Sequence, residues 1–298
     1  RAGSFAAACV AAGAPAPRVA RDIDELLADP RVDGIYIATP HAQHGEWAQR
    51  CLEGGKPVLC EKPLVPNHSQ AAALVALSRR HKVFLMEAVW TRFLPACDIA
   101  QTWLREQTIG SLTGMQSSLC FRAAFEPGSR LFDPALAGGA LLDLGIYNLT
   151  VTRMALTSAL GACPDLDACD ATAVLAPTGV DCRVAATLRF RDGFVSQFVC
   201  GLDGAADNSL AIFGERGVIH LPARFWQATE AVLRRTDEPE LRVQAPFRIN
   251  GFEYEIEEAQ RCIRAGRLES ERMPHAETLA TLAWMDEIRR QVGVRYPF

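Results

Sequence analysis

Lys62, Asp143 and Tyr147 are the residues whose types and positions best suit proton transfer. Lys62 lies in Glu61-Lys62-Pro63, directly after the apolar run Val58-Leu59-Cys60. If that run is a parallel strand, Lys62 lies at its carboxyl end, where open α/β sheets bind their ligands. The proline that follows restricts the lysine backbone to extended conformations, which fixes the direction of the ammonium group. The alternative is a surface lysine that ends a strand, because this tripeptide often occurs by chance.

Asp143 and Tyr147 are four positions apart in a run that follows Gly138-Gly139, so on a helix they share one face. Oxidation of a hydroxyl needs a base for its proton. A nearby ammonium group would lower the pKa of a tyrosine from about 10 towards a useful range, and Lys62 is the candidate for that group. The alternative is a core helix in which Tyr147 only packs.

Two histidines lie in Thr39-Pro40-His41-Ala42-Gln43-His44, directly after the apolar run 34–38. A helix that starts here offers free backbone N–H groups and the positive end of its dipole. The end of this predicted strand and the end of the strand before Lys62 would then lie at the same crevice. His41 and His44 have the spacing of metal ligands, but no third ligand is evident. We therefore expect helix capping or contact with a cofactor or substrate, and no metal site.

Short apolar runs alternate with helical patterns over the first 88 residues. Strands are predicted at 34–38, 57–60 and 83–86, and helices at 2–12, 22–28, 44–53 and from Asn67 or Ser69 to His81. The runs are too short and apolar for a sheet with a solvent face. They predict an α/β fold, a Rossmann-type doubly wound parallel sheet covered by helices. We expect residues 1–88 to form a partial dinucleotide-binding domain.

The pattern changes after residue 88. Helices near 96–106 and 141–155 and a strand at 112–121 precede strand-like runs near 172–175, 184–190, 194–201 and 210–213. Helices at 252–264 and 275–291 follow. We predict an α+β domain over 89–298 with an open-faced, mainly antiparallel sheet, which binds substrate and forms oligomer contacts. Its C-terminal helices are expected to pack back towards the first domain.

Composition argues against several classes of protein. The 298 residues carry a formal net charge of -4 and their basic residues are dispersed, so no nucleic-acid surface is expected. No apolar run approaches the roughly 20 residues that span a bilayer and no leader is evident, so we expect a cytoplasmic protein without membrane partners. The ten cysteines include no Cys-x-x-Cys pair, which predicts reduced thiols and no zinc site.

Several ordered motifs resemble those of the glucose-fructose oxidoreductase, inositol dehydrogenase and rhizopine catabolism protein (Gfo/Idh/MocA) superfamily. They are most similar to its dihydrodiol dehydrogenase and D-xylose dehydrogenase branch. The motifs are Tyr36-Ile-Ala-Thr-Pro-His41, Val58-Leu-Cys-Glu-Lys-Pro63, Met86-Glu-Ala-Val-Trp-Thr-Arg-Phe93, Ser129-Arg-Leu-Phe-Asp-Pro134 and Gly138-Gly-Ala-Leu-Leu-Asp-Leu-Gly-Ile-Tyr147. Together they are far more specific than any one of them.

The resemblance implies a nicotinamide-dependent oxidoreductase that transfers a hydride to or from a cyclic diol, a sugar or a related hydroxyl or carbonyl compound. It implies that Lys62 is the catalytic lysine, that Tyr147 is the acid/base and that Asp143 orients the substrate or Tyr147. The cofactor contacts that it implies are Thr39, Pro40, His44, Glu61, Lys62, Trp90 and Arg92. The substrate contacts that it implies are His41, Trp90, Arg130 and Asp143. An ion pair with Asp133 is an equally good role for Arg130.

One motif of this superfamily is absent, because no Gly-x-Gly-x-x-Gly lies ahead of Arg1. We therefore expect a fragment or a misassigned start. In branch members that prefer NADP, a basic residue at about the position of Arg1 meets the 2′-phosphate, so we expect NADP, with NAD as the alternative. A catalytically inactive sugar or cofactor sensor is the alternative function, although Lys62, Asp143 and Tyr147 argue against it. We also expect a homodimer through the open sheet face.

Overall fold

Two β-sheets organise the chain, whose structure is a computed structural model that describes residues 2–298. The first sheet has the order β1-β2-β3, and its strands are β1 (Ile35–Ile37), β2 (Val58–Glu61) and β3 (Leu85–Ala88). The second has the order β11-β10-β9-β8-β4-β7-β6-β5. Its strands are β4 (Leu112–Cys120), β5 (Leu166–Leu175), β6 (Asp181–Phe190), β7 (Val195–Gly201), β8 (Leu210–Gly214), β9 (Gly217–Leu221), β10 (Glu230–Arg235) and β11 (Leu241–Gln244).

Eight α-helices are described within residues 2–298. They are α1 (Ala2–Ala11), α2 (Ile23–Ala28), α3 (His44–Glu53), α4 (His68–His81), α5 (Pro95–Arg105), α6 (Ile146–Leu160), α7 (Glu253–Arg264) and α8 (His275–Val292). Two of these helices begin at a side-chain cap, because Asp22 accepts a hydrogen bond from Glu25 N and Asn67 accepts one from Gln70 N, both at 2.9 Å. Arg1, for which a cofactor contact was predicted, lies outside the described residues.

The first sheet confirms the Rossmann-type prediction. Its strands are parallel, with Ile35 opposite Val58 and Val58 opposite Leu85. Every side chain of β3 is buried, Glu87 included, and the apolar run 83–86 that predicted this strand reflects that burial. Because α3 and α4 connect the strands as parallel crossovers, the carboxyl ends of β1 and β2 meet at one edge of the sheet.

The second sheet is mainly antiparallel, as predicted. β4 and β7 are its parallel neighbours, paired from Gly114↔Val195 to Cys120↔Gly201. Helices α5, α6 and α8 pack against this sheet, while the opposite face is open and surrounds a trough of about 870 Å³. The sequence reading missed β9, β10 and β11. The hairpin β10–β11 forms a sheet edge with charged side chains such as Arg234 and Arg242, so its apolar alternation is weak.

The helix that carries Asp143 and Tyr147 begins differently from the prediction. A π-helical turn spans Leu141–Gly145 and continues as α6, whereas the sequence predicted a regular helix. Such turns are rare and are frequent at functional sites. The stretch Pro134–Leu160 is long and apolar enough to cross a membrane, but 89% of its most apolar window is buried inside the protein. That burial is typical of a core helix.

The C-terminal helices pack against the first sheet. Leu268 O accepts a hydrogen bond from Leu85 N at 3.0 Å, and His275 Nε2 lies 2.9 Å from Leu85 O. Thr278 on α8 donates to the buried Glu87 carboxylate at 2.7 Å. These contacts join the two sheets through the end of the chain. The boundary at residue 88 therefore stays a prediction.

Candidate active site

A cavity of about 340 Å³ lies where the carboxyl ends of β1 and β2 meet the start of the π-helical turn. Larger cavities lie on the open sheet face and beside β1, but the groups with acid–base chemistry converge on this one. Its lining residues are Ala38, Thr39, Pro40, His41, His44, Glu61, Lys62, Arg130 and Asp143. All of these except Ala38 were predicted from the sequence.

The Asp143 carboxylate is the centre of the site. Its Oδ1 accepts hydrogen bonds from Lys62 Nζ at 3.0 Å and from an Arg130 nitrogen at 3.1 Å, and it lies 3.8 Å from His41 Nε2. Lys62 also donates to the backbone carbonyl of Asp143. Because the Asp143 side chain is only 8% exposed, water weakens these interactions little. The helix start thus fixes the direction of the Lys62 ammonium group.

Burial and pairing shift the pKa values of Lys62 and Asp143 in opposite directions. Burial lowers the pKa of Lys62, but Asp143 and then Tyr147 raise it by more, so the pKa lies above its usual value. Burial raises the pKa of Asp143, but Lys62, Arg130 and His41 lower it by more, so the pKa lies well below its usual range. Both groups are therefore charged at neutral pH.

Tyr147 is buried beside this pair. The Lys62 ammonium lies 4.9 Å from the centre of the Tyr147 ring, and Trp90 Nε1 donates to the Tyr147 hydroxyl at 3.1 Å. Lys62 lowers the pKa of Tyr147 as predicted, but burial raises that pKa by more, so the net shift is upward. The expected lowering is therefore corrected, and the phenol is protonated at neutral pH.

The two histidines are buried and hold the loops together. His44 Nδ1 lies 2.8 Å from Pro63 O and its Nε2 lies 2.8 Å from Thr39 O, while His41 Nδ1 lies 3.1 Å from Ala137 O. Burial, with help from Lys62, lowers the pKa of His41 to about 4. Burial also lowers the pKa of His44. Within residues 2–298, no group of three His, Cys, Asp or Glu side chains is arranged to hold a metal ion.

The loops after β1 and β2 leave polar groups available to a bound cofactor. Thr39 Oγ1 is buried and has no hydrogen-bond partner in the described part of the chain, so it is available to a ligand. Glu61 accepts a hydrogen bond from Tyr36 and lies beside Lys62 on the same wall. The cavity volume is near the lower end of the about 300–1,000 Å³ that is typical of ligand sites. It suits one end of such a cofactor and a small substrate.

Trp90 adjoins the site through its hydrogen bond to Tyr147. Its ring stacks on Phe252 with 4.5 Å between centroids, and Phe247 lies 6.2 Å away. Gly251 has a φ of +97° and would place a Cβ within 2.6 Å of the Trp90 ring, so glycine is required there. Phe252 therefore covers one face of the Trp90 ring, Phe247 lies at an angle to it, and the Trp90 indole N–H faces the Tyr147 hydroxyl.

Arg92, for which a cofactor contact was predicted, does not line the cavity. Its side chain donates to Arg272 O at 2.8 Å and to Glu277 at 3.2 Å. Glu277 also accepts from Arg153 at 2.8 Å, so Arg92 belongs to a buried ion-pair network that joins three segments. The Trp90-Thr91-Arg92 turn directs its first side chain to Tyr147 and its third to α8.

Arg130 pairs with Asp143 and not with Asp133, so the alternative drawn from the sequence is wrong. Asp133 instead accepts a hydrogen bond from Ala135 N at 2.8 Å and caps a short 3₁₀ helix. The Arg130 side chain is 57% exposed, which leaves its outer nitrogens accessible to a ligand in the cavity.

Three buried acids that support the site were missed by the sequence reading: Glu87, Asp181 and Glu277. Glu87 accepts a hydrogen bond from Leu64 N at 2.8 Å, and Asp181 accepts one from Leu141 N at 2.5 Å. Their partners lie 23 and 40 positions away, so no local motif marks them. An acid next to a buried apolar run was the one available signal.

Comparison with known proteins places the chain among oxidoreductases. A family model described as "Oxidoreductase family, NAD-binding Rossmann fold" matches residues 2–89, and one described as "GFO/IDH/MocA C-terminal domain" matches residues 99–220. Trans-1,2-dihydrobenzene-1,2-diol dehydrogenase of Danio rerio is 36% identical over 286 residues, which are 94% of this chain and 83% of that protein. The Homo sapiens protein of that name is 32% identical over 94% of this chain and 84% of its own length. The chain belongs to the GFO/IDH/MocA oxidoreductase family.

Solved structures agree with this family fold. Aldose-aldose oxidoreductase from Caulobacter crescentus has a TM-score of 0.84 and 22% identity, and the match covers 98% of this chain and 87% of that one. KijD10, a 3-ketoreductase from Actinomadura kijaniata solved with NADP and TDP-benzene, has a TM-score of 0.80 and 23% identity over 98% of this chain and 86% of that one. At these identities the likeness shows the fold of this GFO/IDH/MocA oxidoreductase.

Proposed function

We propose that this GFO/IDH/MocA oxidoreductase is an NADP-dependent dehydrogenase or reductase that acts on a CH–OH group of a cyclic diol or sugar. One observation carries the proposal: the Lys62 ammonium, fixed by Asp143, lies against the Tyr147 ring at a cavity built from strand ends. The name shared by relatives at 32% to 36% identity makes a trans-1,2-dihydrodiol the first substrate to test. The position of Arg1 in the sequence supports NADP over NAD.

The side chains of the site account for the proton. Because the indole N–H of Trp90 is a donor only, it occupies a lone pair of the Tyr147 oxygen and leaves the phenolic proton for another acceptor. In carbonyl reduction, Tyr147 gives this proton to the carbonyl oxygen, and the Lys62 charge stabilises the tyrosinate that remains. In hydroxyl oxidation the proton moves the opposite way. The raised pKa of Tyr147 favours the donating direction at neutral pH.

The remaining residues bind and orient. Thr39, Pro40, Glu61 and Lys62 would hold the nicotinamide end of the cofactor, which supplies or accepts the hydride when it is bound. Arg130, more than half exposed, would bind a second hydroxyl of the substrate. The shared name of the relatives, a cyclic diol dehydrogenase, supports a cyclic substrate over an open chain.

The test combines cofactor binding with turnover. The chain is titrated with NADPH and NADH by fluorescence, and turnover is measured with trans-1,2-dihydrobenzene-1,2-diol and with D-xylose. Tyr147→Phe removes the transferred proton, so kcat should fall by about 10² to 10⁴ while the Kd of NADPH changes less than about twofold. Tyr254→Phe is the matched control, since its hydroxyl accepts from Arg248 N outside the cavity and its loss should leave kcat unchanged. Turnover by Tyr147→Phe at the normal rate contradicts the proposal, and NADPH binding without any turnover indicates a sensor.

We further propose a cytoplasmic homodimer that is formed through the open sheet face. The ten cysteines are all free, which supports a reducing compartment. Most side chains around the trough of the open face are uncharged, among them Ala185, Thr187, Gln197 and Ala211, and Asp170 and Asp207 are its charged members. An open and largely uncharged sheet face supports burial against a second copy in a twofold dimer.

A further inference from the structure

Asp181 is a buried acid at the first position of β6, and it touches the helix that carries the proton-transfer pair. We propose that Asp181 is a positioning residue, which caps this helix from the neighbouring sheet and so holds Asp143 and Tyr147 in register with Lys62. The inference rests on the proposed function of Asp143, Tyr147 and Lys62. It adds a residue that touches neither the cavity nor the reacting groups.

The cap comes from far along the chain. The first N–H groups of a helix have no partner within the helix and need an acceptor from elsewhere. Ala140 precedes the π-helical turn and has no side chain able to cap it. Asp181 Oδ2 accepts the Leu141 N–H at 2.5 Å, two residues before Asp143. A carboxylate at this end also interacts favourably with the helix dipole.

The backbone around the cap is built to admit this carboxyl group. At Gly139 the φ is +120°, and a Cβ there would come within 2.4 Å of Asp181 Oδ1. At the preceding residue, the Tyr296 hydroxyl donates to Gly138 O at 2.6 Å. One anchor therefore accepts from the turn and the other donates to it. Together they fix where the helix begins.

A displacement of the helix start would directly move the residues of the proposed proton transfer. Lys62 donates to both the backbone carbonyl and the carboxylate of Asp143, which lies in the turn that Asp181 caps. Tyr147 follows one turn later and meets the same ammonium through its ring. A misplacement of about 1 Å in such a site lowers turnover by about 10²-fold. Cofactor contacts made by Thr39 and Glu61 belong to other loops and are not affected.

The charge of the cap changes near neutral pH. Burial raises the pKa of Asp181 to about 7, although the Leu141 N–H and Arg289 on α8 lower it. The other titratable groups that face it are Tyr296, Cys182 on β6 and Cys200 on β7. The helix start is thus held by an anion at high pH and by a neutral acid at low pH. We expect kcat to change with pH near pH 7, and we expect this limb of the pH profile to come from Asp181.

The experiment compares Asp181→Ala with Asp181→Asn in the full chain between pH 5.5 and pH 9, a range of about two units on either side of neutrality. Asp181→Ala removes the acceptor, and kcat should fall about 10- to 100-fold while the Kd of NADPH stays within about twofold. Asparagine is an equally good cap without a charge, so Asp181→Asn should restore kcat to within about threefold and should lack the limb near pH 7. Leu188→Ala is the control, because it opens the core about 20 Å further along β6 and leaves the cap intact.

Each result decides between positioning and general stability. Normal kcat in a folded Asp181→Ala protein overturns the inference, and so does an equal loss of kcat in Leu188→Ala. If Asp181→Ala does not fold, Asp181→Asn decides alone, and a limb near pH 7 that persists in this variant overturns the inference. If Tyr147→Phe keeps its turnover, the proposed function has failed instead. The cap is then still tested by unfolding, where Asp181→Asn must remove a pH dependence that the unchanged protein has.

Discussion

The charge of the site depends on Asp143, which accepts hydrogen bonds from Lys62 and Arg130 at a single oxygen. Removal of this carboxylate leaves the buried Lys62 ammonium with the cost of burial and without the partner that offsets it. The pKa of Lys62 must then fall, because burial is the largest influence that remains. The tyrosinate formed by proton donation loses the same stabilising charge.

We predict that Asp143→Asn lowers kcat by about 100-fold and the free energy of unfolding by about 3 kcal/mol. Urea denaturation and steady-state kinetics at pH 7 measure the two effects. Asp133→Asn is the matched control, because its carboxylate lies ten residues earlier and accepts a backbone N–H instead of a charged donor. It should keep its kcat and lose at most about 1 kcal/mol. Equal losses in the two variants would show that Asp143 has no special role.

The stabilising effect of Asp143 should also depend on pH. Its pKa is lowered in the folded protein, so its contribution is present above the unfolded value near 4 and is lost as the pH falls further. Consequently the stability difference between the unchanged protein and Asp143→Asn should shrink below about pH 4. A constant difference from pH 3 to pH 7 would contradict the ion pair. Chemical denaturation at several pH values measures it.

The sequence predicted which of these side chains lie together, but it did not predict the net direction of the Tyr147 pKa shift. Strand ends and a four-residue spacing were enough to bring Lys62, Asp143 and Tyr147 together. The direction of the Tyr147 pKa depends on how deeply the ring is buried, and that depth is set by distant segments. Arg92 lies only two positions from Trp90, yet it pairs with Glu277 on α8. A local motif cannot reveal such a partner.

Glu277 joins three elements, because it binds Arg153 on α6 and Arg92 after β3 from its own place on α8. We predict that Glu277→Gln lowers the free energy of unfolding by about 3 kcal/mol, since two buried guanidinium groups lose their counter-charge. Glu287→Gln on the same helix breaks an exposed pair with Arg290 and should cost less than about 1 kcal/mol. Similar costs for both variants would rule out the network. Thermal or urea unfolding provides the comparison.

The cap of the π-helical turn gives the opposite pH dependence from Asp143. The pKa of Asp181 is about 7 in the folded protein and about 4 when unfolded, so the folded state holds a proton that the unfolded state releases. Its stabilising contribution is fully present below about pH 4 and is lost as the pH rises to about 7. We predict that Asp181→Asn flattens the stability profile in this window. An unchanged slope in urea denaturation between pH 4 and pH 7 argues against a shifted carboxyl.

Among the elements, those with strong local signals were predicted well and those fixed by neighbours were not. α3 begins at His44 and ends at Glu53, as its apolar spacing and its terminal glycines indicate. The π-helical turn depends on the close approach of Asp181 to Gly139, which lies 42 positions earlier. β10 and β11 are held by pairing along a sheet edge, so their sequences need no apolar face.

The open face of the second sheet provides a prediction for the whole molecule. If it forms the homodimer, Ala185→Arg places a bulky charge at the centre of a self-contacting surface and should convert the dimer into a monomer. Ala265→Arg adds the same charge at an exposed position after α7 and should not change the sedimentation coefficient. Sedimentation velocity at micromolar concentrations distinguishes the species. A monomeric unchanged protein would refute the dimer.

The hydrogen bond between Leu85 and Leu268 limits how early the first sheet can finish folding during synthesis. β3 leaves the ribosome about 180 residues before the backbone carbonyl that completes its hydrogen bonding. The buried Glu87 next to Leu85 has its hydrogen-bond donor, Thr278, a similar distance further along the chain. The donor to the Gly138 carbonyl, Tyr296, is also synthesised much later. Domains of nascent chains usually fold from the N-terminal end. Here the nucleotide-binding half stays incomplete until the last helices arrive, so a ribosome stalled near residue 240 should hold a chain that is still sensitive to proteases in its first sheet.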